Sequence, residues 1–165
     1  MSTETSATAT AETGGDDLLV LDRQVCFALV VASRTVIGLY RPVLEPLGLT
    51  HPQYLVMLAL WEYERLSLTE LGRPLQLDSG TLSPLLKRLT GAGLVGEERA
   101  ADDERVVVVV SLTPQGRALR ARAEAVPVEV VRRLGMDAEE LRVLRGALTR
   151  VISAATTGAG DRPQA

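Results

Sequence analysis

The sequence offers very little sulfur and very few rings with which to build a site. Its 165 residues include one cysteine, one histidine, one tryptophan and one phenylalanine, and no aromatic residue follows Tyr63. A single cysteine excludes an intramolecular disulfide framework, and neither a CxxC pair nor a thioredoxin-like βαβ pattern is present. These absences argue against a thiol peroxidase. We expect no enzymatic activity, no metal and no cofactor.

Long apolar runs are also missing. No run reaches the roughly 18 residues that a membrane span needs, and the first residues lack the basic start and apolar centre of a signal peptide. They are small, polar and acidic, which predicts a disordered acidic tail over residues 1–17. The sequence therefore favours a cytoplasmic protein without a membrane partner, in which a thiol stays reduced by default.

A net basic charge, the usual mark of nucleic-acid binding, is absent as well. The formal net charge is −3. Residues 1–22, however, contain five acidic and no basic side chains, so the rest of the chain carries +2. Charge therefore permits DNA binding without arguing strongly for it.

What the sequence does contain is a series of helix starts and stops. Apolar spacings of three and four predict a first helix from near Leu19, capped by Asp22 and broken by Pro42, Pro46 and Gly48. A second helix is predicted to begin after a capping box formed by residues 50–53. Its apolar stripe is predicted to consist of Leu55, Leu58 and Trp61, and Trp61 and Tyr63 are assigned to packing.

Two short helices are predicted next. Ser67–Glu70 is a capping box for the first, which ends near Leu75 because Pro74 removes a backbone donor. Asp78 opens the second helix, and the glycines at 91 and 93 end it. The apolar face of this second helix comprises Leu82, Leu85, Leu86 and Leu89.

The pattern of apolar residues then changes from that of helices to that of a β-hairpin. Residues 94–99 and 105–112 read as strands, the second with five consecutive valines, and residues 100–104 read as a polar loop. Thr113 then caps a long helix that Pro127 should bend.

Asp137 is predicted to cap the last helix, and the tail from Thr156 is expected to fray. The apolar face of the last helix is predicted to comprise Leu141, Leu144, Leu148, Val151 and Ile152.

Two short helices followed by a hairpin predict a winged helix-turn-helix in a mainly α protein. The short polar side chains of the second helix suit base edges or phosphates in a major groove, and its basic end suits phosphates. At the hairpin tip, Asp103 can hold the guanidinium of Arg105 and aim it into the minor groove. The predicted DNA-binding residues are Asp78, Ser79, Thr81, Ser83, Lys87, Arg88, Asp103 and Arg105.

Several of these segments resemble the MarR family of winged-helix repressors. The similar motifs are 77–82, 86–89, 93–95, 103–105 and 112–116, within roughly residues 18–155. The resemblance implies an obligate homodimer on double-stranded palindromic operator DNA. It implies dimerisation and sensing helices over 18–63, the DNA-binding region over 64–112, dimerisation helices over 113–156 and a flexible tail over 157–165.

The first helix resembles one branch of that family, the OhrR-type sensors of organic hydroperoxides. The similar segments are 21–29, 32–34, 40–44 and 47–55. The resemblance implies that Cys26 reacts with the peroxide and that Tyr40 hydrogen-bonds it from the other subunit. Some members carry further tyrosines where His51 and Val30 stand here, so the second donor to the sulfur is open between His51 and Tyr54.

The chemistry of a peroxide sensor suits a cysteine near a helix start. Only the thiolate attacks a peroxide, and the N-terminal dipole of a helix favours that form about one turn in. Without a second cysteine, Cys26 should stop at sulfenic acid and then form a mixed disulfide with a small thiol, or be over-oxidised. The alternative is a MarR-type repressor that responds to a small phenolic ligand, with Cys26 merely structural.

Overall fold

The computed structural model describes residues 19–102 and 105–159 and divides the chain into two units, residues 1–35 and 36–165. In the first unit a 3-10 turn, Leu21–Arg23, precedes helix α1, Val25–Leu44, which continues into the second unit. Asp22 lies inside that turn, so the prediction that it caps the first helix is wrong. The predicted acidic tail lies outside the described residues.

The second unit contains the remaining secondary structure. After α1, a 3-10 turn at Glu45–Leu47 leads to Gly48, whose φ of +69° favours glycine. The later elements are α2 His51–Tyr63, β1 Arg65–Ser67, α3 Leu68–Leu75, α4 Ser79–Gly91, β2 Val95–Asp102, β3 Arg105–Leu112, α5 Pro114–Ala123, α6 Ala125–Leu134 and α7 Ala138–Ala159.

Pro42 does not break α1, contrary to the prediction. The helix continues to Leu44, and together with the following turn it forms a stretch, Val25–Leu47, that is long and apolar enough to cross a membrane by length and composition. A helix whose apolar sides pack against another protein chain has the same length and composition. The stretch also contains Arg34 and Arg41.

The wing is part of a three-stranded antiparallel sheet with the order β1–β3–β2. Strand β1 was not predicted, because three residues are too short for a periodic signal. It forms by pairing Arg65 with Ser111 and Ser67 with Val109. In the hairpin, β2 extends to Asp102, which pairs with Arg105, so residues 100–102 are strand and not the predicted loop.

The long helix after Thr113 is divided in two, as the proline in it suggests. The division falls at Glu124, between α5 and α6, one turn before Pro127. Pro127 has no N–H to donate to the carbonyl of Ala123, so the hydrogen-bond ladder is interrupted there. Helix α7, in contrast, continues beyond Thr156, whose hydroxyl donates to the Ile152 carbonyl at 2.9 Å. The predicted fraying from Thr156 is therefore not observed as far as Ala159.

One apolar core joins the helix-turn-helix, the sheet and the helices that flank them. On α2 the buried face differs from the predicted stripe, because Leu58 is 42% and Tyr63 57% exposed. The packing role assigned to Tyr63 is therefore wrong, whereas that of Trp61 is right. The buried apolar residues of α2 are Tyr54, Val56, Met57, Leu60 and Trp61, and the largest buried side chains elsewhere include Leu44, Leu71, Leu82, Leu86, Leu89 and Val110.

Helix α7 contributes no side chain to this core among its described residues. A capping box starts it, because Asp137 Oδ1 accepts from the Glu140 N–H and Glu140 Oε2 accepts from the Asp137 N–H, each at 2.8 Å. Its apolar face is left exposed in the single chain by Val143, Leu144, Leu148, Val151 and Ile152.

Candidate nucleic-acid interface and thiol region

The turn between α3 and α4 brings the two short helices close together. The Ser67–Glu70 capping box is formed, with Glu70 Oε2 accepting from the Ser67 N–H at 2.8 Å. Helix α3 ends with Gln76 in the left-handed region, and the Leu77 N–H bonds back to the Gly72 carbonyl at 3.0 Å. A Cβ added at Gly72 would lie 2.5 Å from the Leu77 carbonyl oxygen. Only glycine therefore allows this turn to close as it does.

Asp78 fixes the start of α4. Its carboxylate accepts from the Thr81 N–H at 2.7 Å, and this backbone hydrogen bond is the main reason that the pKa of the Asp78 carboxyl is lowered. Asp78 is therefore ionised at neutral pH and is used as a cap. The Ser83 hydroxyl donates to the Ser79 carbonyl at 2.7 Å, so its oxygen is oriented by the helix itself.

The polar face of α4 is open to solvent and its apolar face is not. Leu82, Leu86 and Leu89 are at most 1% exposed, and Leu85 packs against the core at its edge. The predicted DNA-binding side chains of this helix are all exposed: Ser79, Thr81, Ser83, Lys87 and Arg88. All five therefore lie on the solvent side of the helix.

The wing, formed by β2 and β3, follows α4 in the chain. Arg105 is the first residue of β3, and Asp103 lies outside the described residues, so the predicted pairing of the two stays a prediction. Along the same sheet, Arg65 on β1 forms an exposed ion pair with Glu98 on β2, across the central strand. This pair connects the short strand to the hairpin.

A concave surface beside α4 contains side chains that the sequence did not single out. Arg73, from the last turn of α3, and Gln76, at its end, are both exposed there next to Ser79. The sequence analysis named no functional residue in α3, so Arg73 was not singled out, although a basic residue in the last turn of this helix was the available signal. The surface encloses about 500 Å³ and is lined by Leu68, Thr69, Gly72, Arg73, Gln76, Leu77, Asp78 and Ser79.

Cys26 lies in the first unit, as the second residue of α1. The sequence predicted it about one turn into its helix, and the later start of α1 brings it closer to the helix end. Its side chain is exposed in the single chain. Val25 and Val30 beside it are also exposed, at 68% and 46%.

The other three predicted sensing residues meet in the second unit. The ring of Tyr40 lies edge-on to His51, with centroids 4.8 Å apart, and 5.9 Å from the ring of Tyr54. Burial lowers the pKa of His51, so the imidazole is neutral at neutral pH. Burial, with a smaller contribution from Tyr40, raises the pKa of Tyr54, which therefore keeps its proton.

In the described part of the chain, no group of three or more histidine, cysteine, aspartate or glutamate side chains is arranged to hold a metal ion.

Helix α4 is exposed and polar, a tight turn joins it to α3, and a hairpin within a small sheet follows it. This arrangement defines a winged helix-turn-helix DNA-binding protein. The family model described as "Transcriptional regulator SarA/Rot" matches residues 38–122. The organic hydroperoxide resistance transcriptional regulator of Bacillus subtilis (strain 168) is 41% identical over 132 residues, which are 80% of this chain and 89% of the relative. The chain belongs to the MarR family of winged-helix transcriptional regulators, in its OhrR branch and with a single cysteine.

Solved structures agree with this assignment. AbfR of Staphylococcus epidermidis is 33% identical with a TM-score of 0.68, and the match covers 83% of this chain and 94% of AbfR. A structure of reduced AbfR bound to DNA matches with a TM-score of 0.66 at 33% identity, over 82% of this chain and 94% of that one. The predicted fold class is confirmed, and this chain is a DNA-binding transcriptional regulator.

Proposed function

We propose that this regulator is a homodimeric repressor that senses organic hydroperoxides by oxidation of Cys26 and then releases a palindromic operator in the cytoplasm. The observation that carries the proposal is the exposed thiol of the only cysteine, at the second residue of α1. The name of the Bacillus subtilis relative, organic hydroperoxide resistance transcriptional regulator, supports the nature of the signal.

Cys26 lies in the first turn of α1, and this turn contains no acidic residue. The first backbone N–H groups of a helix have no partner within it.

The reaction balances with one peroxide and one thiol. The Cys26 thiolate attacks the terminal oxygen of the hydroperoxide, the one that carries the hydrogen. An S–O bond forms while the O–O bond breaks. The leaving alkoxide takes up a proton and departs as an alcohol, and Cys26 becomes a sulfenic acid. A small cellular thiol then displaces water from the sulfenic acid and forms a mixed disulfide.

Tyr40 is the proposed donor to the Cys26 sulfur of the partner subunit, as the family resemblance implies. The rings of His51 and Tyr54 lie 4.8 Å and 5.9 Å from the ring of Tyr40, and these contacts limit the movement of its phenol. Because burial lowers the pKa of His51, this residue acts as a neutral ring and not as a cation. Tyr54 is protonated, since its pKa is raised, and it remains the better candidate for a second donor.

The homodimer is supported by the state of α7. An exposed apolar face of this size is unfavourable for a helix in water, because each buried CH₂ group contributes about 0.8 kcal/mol. Leu144, Leu148 and Ile152 line a groove of about 810 Å³ together with Tyr40 and Val131. A second copy of the chain covers this face in the proposed dimer and sets the spacing of the two α4 helices.

On DNA, the hydroxyls of Ser79, Thr81 and Ser83 are the proposed contacts to base edges, and Lys87 and Arg88 are the proposed contacts to phosphates. Arg105, oriented by Asp103, is proposed to enter the minor groove. Arg73 is added to the phosphate contacts because it is exposed in the concave surface beside Ser79. A thousandfold release of the operator requires about 4 kcal/mol of difference between the reduced and oxidised states.

The phenolic-ligand alternative gives Cys26 a packing role only. The two readings therefore differ in what oxidation of Cys26 does to operator binding: the sensor releases the operator, and the ligand-responsive repressor does not.

Replacement of Cys26 by serine tests the proposal. Operator affinity is measured by fluorescence anisotropy before and after treatment with cumene hydroperoxide, with the mass of each protein recorded. The wild type should gain mass at Cys26 and lose the operator, whereas Cys26→Ser should bind normally and ignore the peroxide. Release of DNA by the serine variant after peroxide treatment would refute the proposal.

A further inference from the structure

Trp61 lies between the base of the wing and the aromatic cluster formed by Tyr40, His51 and Tyr54. It is the only tryptophan of the chain and is 7% exposed. Its ring is 6.3 Å from that of Tyr54, seven residues earlier on the same helix, and Tyr54 in turn contacts Tyr40. Three rings in sequence therefore connect the proposed donor to the sulfur with the far end of α2.

Trp61 is also hydrogen-bonded to α5. The indole Nε1–H donates to the Gly116 carbonyl at 2.9 Å, and this hydrogen bond is buried. Gly116 packs so tightly on Leu94 that a Cβ there would overlap the Leu94 carbonyl oxygen. The indole is thus bonded to a backbone position that has no freedom to move alone.

Gly116 also belongs to the junction at which α4 and the wing meet. Its N–H donates to Thr113 Oγ1 at 3.0 Å, and the Thr113 hydroxyl donates to the Gly93 carbonyl at 2.6 Å. The Thr113 N–H donates to the Leu94 carbonyl at 3.1 Å. Gly93 follows α4, Leu94 precedes β2 and Thr113 follows β3, so one hydrogen-bonded cluster holds the ends of all three elements.

We propose that Trp61 is the positioning residue through which a change at Tyr40 redirects α4 and the wing. The proposal rests on the proposed function, in which oxidation at Cys26 disturbs the phenol of Tyr40. Closely packed rings do not move independently, because a protein interior has few voids. The indole cannot move without Gly116 either, because a buried carbonyl left without its donor is unfavourable.

The fluorescence of the single tryptophan tests this directly in the wild-type protein without DNA. Cumene hydroperoxide should change the emission maximum or intensity of Trp61 at the rate at which Cys26 gains mass. The Cys26→Ser variant, treated in the same way, controls for direct oxidation of the indole. An emission spectrum that stays unchanged while Cys26 is fully oxidised would overturn the proposal.

Trp61→Phe tests the consequence for DNA. This variant keeps a ring next to Tyr54 but loses the donor to Gly116. Tyr63→Phe is the matched control, since Tyr63 is an exposed aromatic residue of the same helix. Oxidation of Cys26 should proceed as in the wild type, and reduced Trp61→Phe should bind the operator within a few-fold of the wild type. The loss of affinity on oxidation should shrink by roughly tenfold.

An oxidation-dependent loss of affinity equal to that of the wild type would show that Trp61 does not transmit the change. Should Trp61→Phe fail to fold, the emission of Trp61 in the wild type decides alone. The proposed function fails separately if the wild type keeps its operator after Cys26 is oxidised, and that result would overturn both proposals.

Discussion

Gly72 is the position at which a single methyl group should harm both stability and DNA binding. An alanine Cβ there would stand 2.5 Å from the Leu77 carbonyl oxygen and 3.1 Å from Leu82 Cδ1, whereas ordinary contacts begin at 3.4 Å, so ~0.9 Å of movement is needed at Leu77. The Leu77 oxygen is backbone and cannot rotate away, because the Leu77 N–H is bonded to Gly72 itself. Overpacking of this kind costs about 1–3 kcal/mol. Alanine regains about 1 kcal/mol of helix propensity, which leaves a net destabilisation of up to about 2 kcal/mol.

The displacement also reaches the DNA-binding face. Leu77 directly precedes Asp78, which caps α4, so a shift of the turn moves Ser79 and Thr81 with it. Hydrogen bonds to base edges tolerate only a few tenths of an ångström before they weaken. A lost base contact removes about 1–3 kcal/mol, and two half-sites are affected in a dimer. Operator affinity should therefore fall by at least about tenfold.

Urea denaturation and anisotropy titration with operator DNA measure the two effects. Gly91→Ala is the matched control, since Gly91 also lies in the helix-turn-helix and a Cβ there would meet nothing within 4 Å. It should leave operator affinity unchanged. If Gly72→Ala unfolds at the same urea concentration as the wild type and binds the operator equally well, the argument that the α3–α4 turn requires glycine is wrong.

Four further predictions concern the cap, the wing and the aromatic cluster. Asp78→Ala should lower the urea midpoint and weaken operator binding, because the Thr81 N–H loses its acceptor, whereas Asp78→Asn should retain both properties; equal behaviour of the two variants would contradict the capping role. Arg105→Ala should weaken operator binding by at least about tenfold and leave the oxidation rate of Cys26 unchanged, and an unaltered affinity would remove the wing from the mechanism. Tyr40→Phe should slow the reaction of Cys26 with cumene hydroperoxide by about tenfold, because a hydrogen bond to a charged sulfur is lost; an unchanged rate in stopped-flow would assign Tyr40 to packing alone. For His51, burial lowers the pKa from 6.5 in the folded protein, so the unfolded chain binds the extra proton first as the pH falls below that value. Stability should therefore decrease from about pH 6.5 downwards, and His51→Gln should show a smaller decrease in urea titrations between pH 7 and 5.

The features that depend only on nearby residues in the chain could be predicted from the sequence. The caps at Ser67, Asp78 and Asp137 each accept a backbone N–H three residues further on, and Gly93 ends α4 in the left-handed region as its position suggested. The polar face of α4 follows from helical periodicity alone, because its leucines recur at spacings of three and four. These features need no partner from elsewhere in the chain.

The start of α1 and the surroundings of Cys26 were only partly predictable. Asp22 is a good cap by residue type, yet it lies in a 3-10 turn, and α1 begins at Val25. Capping preference ranks candidate starts, but the backbone conformation before the helix selects among them. The sensing role of Cys26 was predicted from the family resemblance and not from spacing, and it stays a prediction.

Contacts between distant segments were decided by the tertiary structure alone. Strand β1 forms because Leu66 pairs with Val110 on β3. The indole of Trp61 donates a hydrogen bond because the Gly116 carbonyl lies within reach of it. Gly72 is required by a carbonyl in the following turn, which no periodicity signals. The sequence by itself determined the order of the elements, their caps and the polar face of α4, since these depend on interactions over three or four residues. The pairing of β1 with β3 and the hydrogen bond from Trp61 to Gly116 join residues more than forty positions apart, whose meeting only the packing of the whole second unit decides.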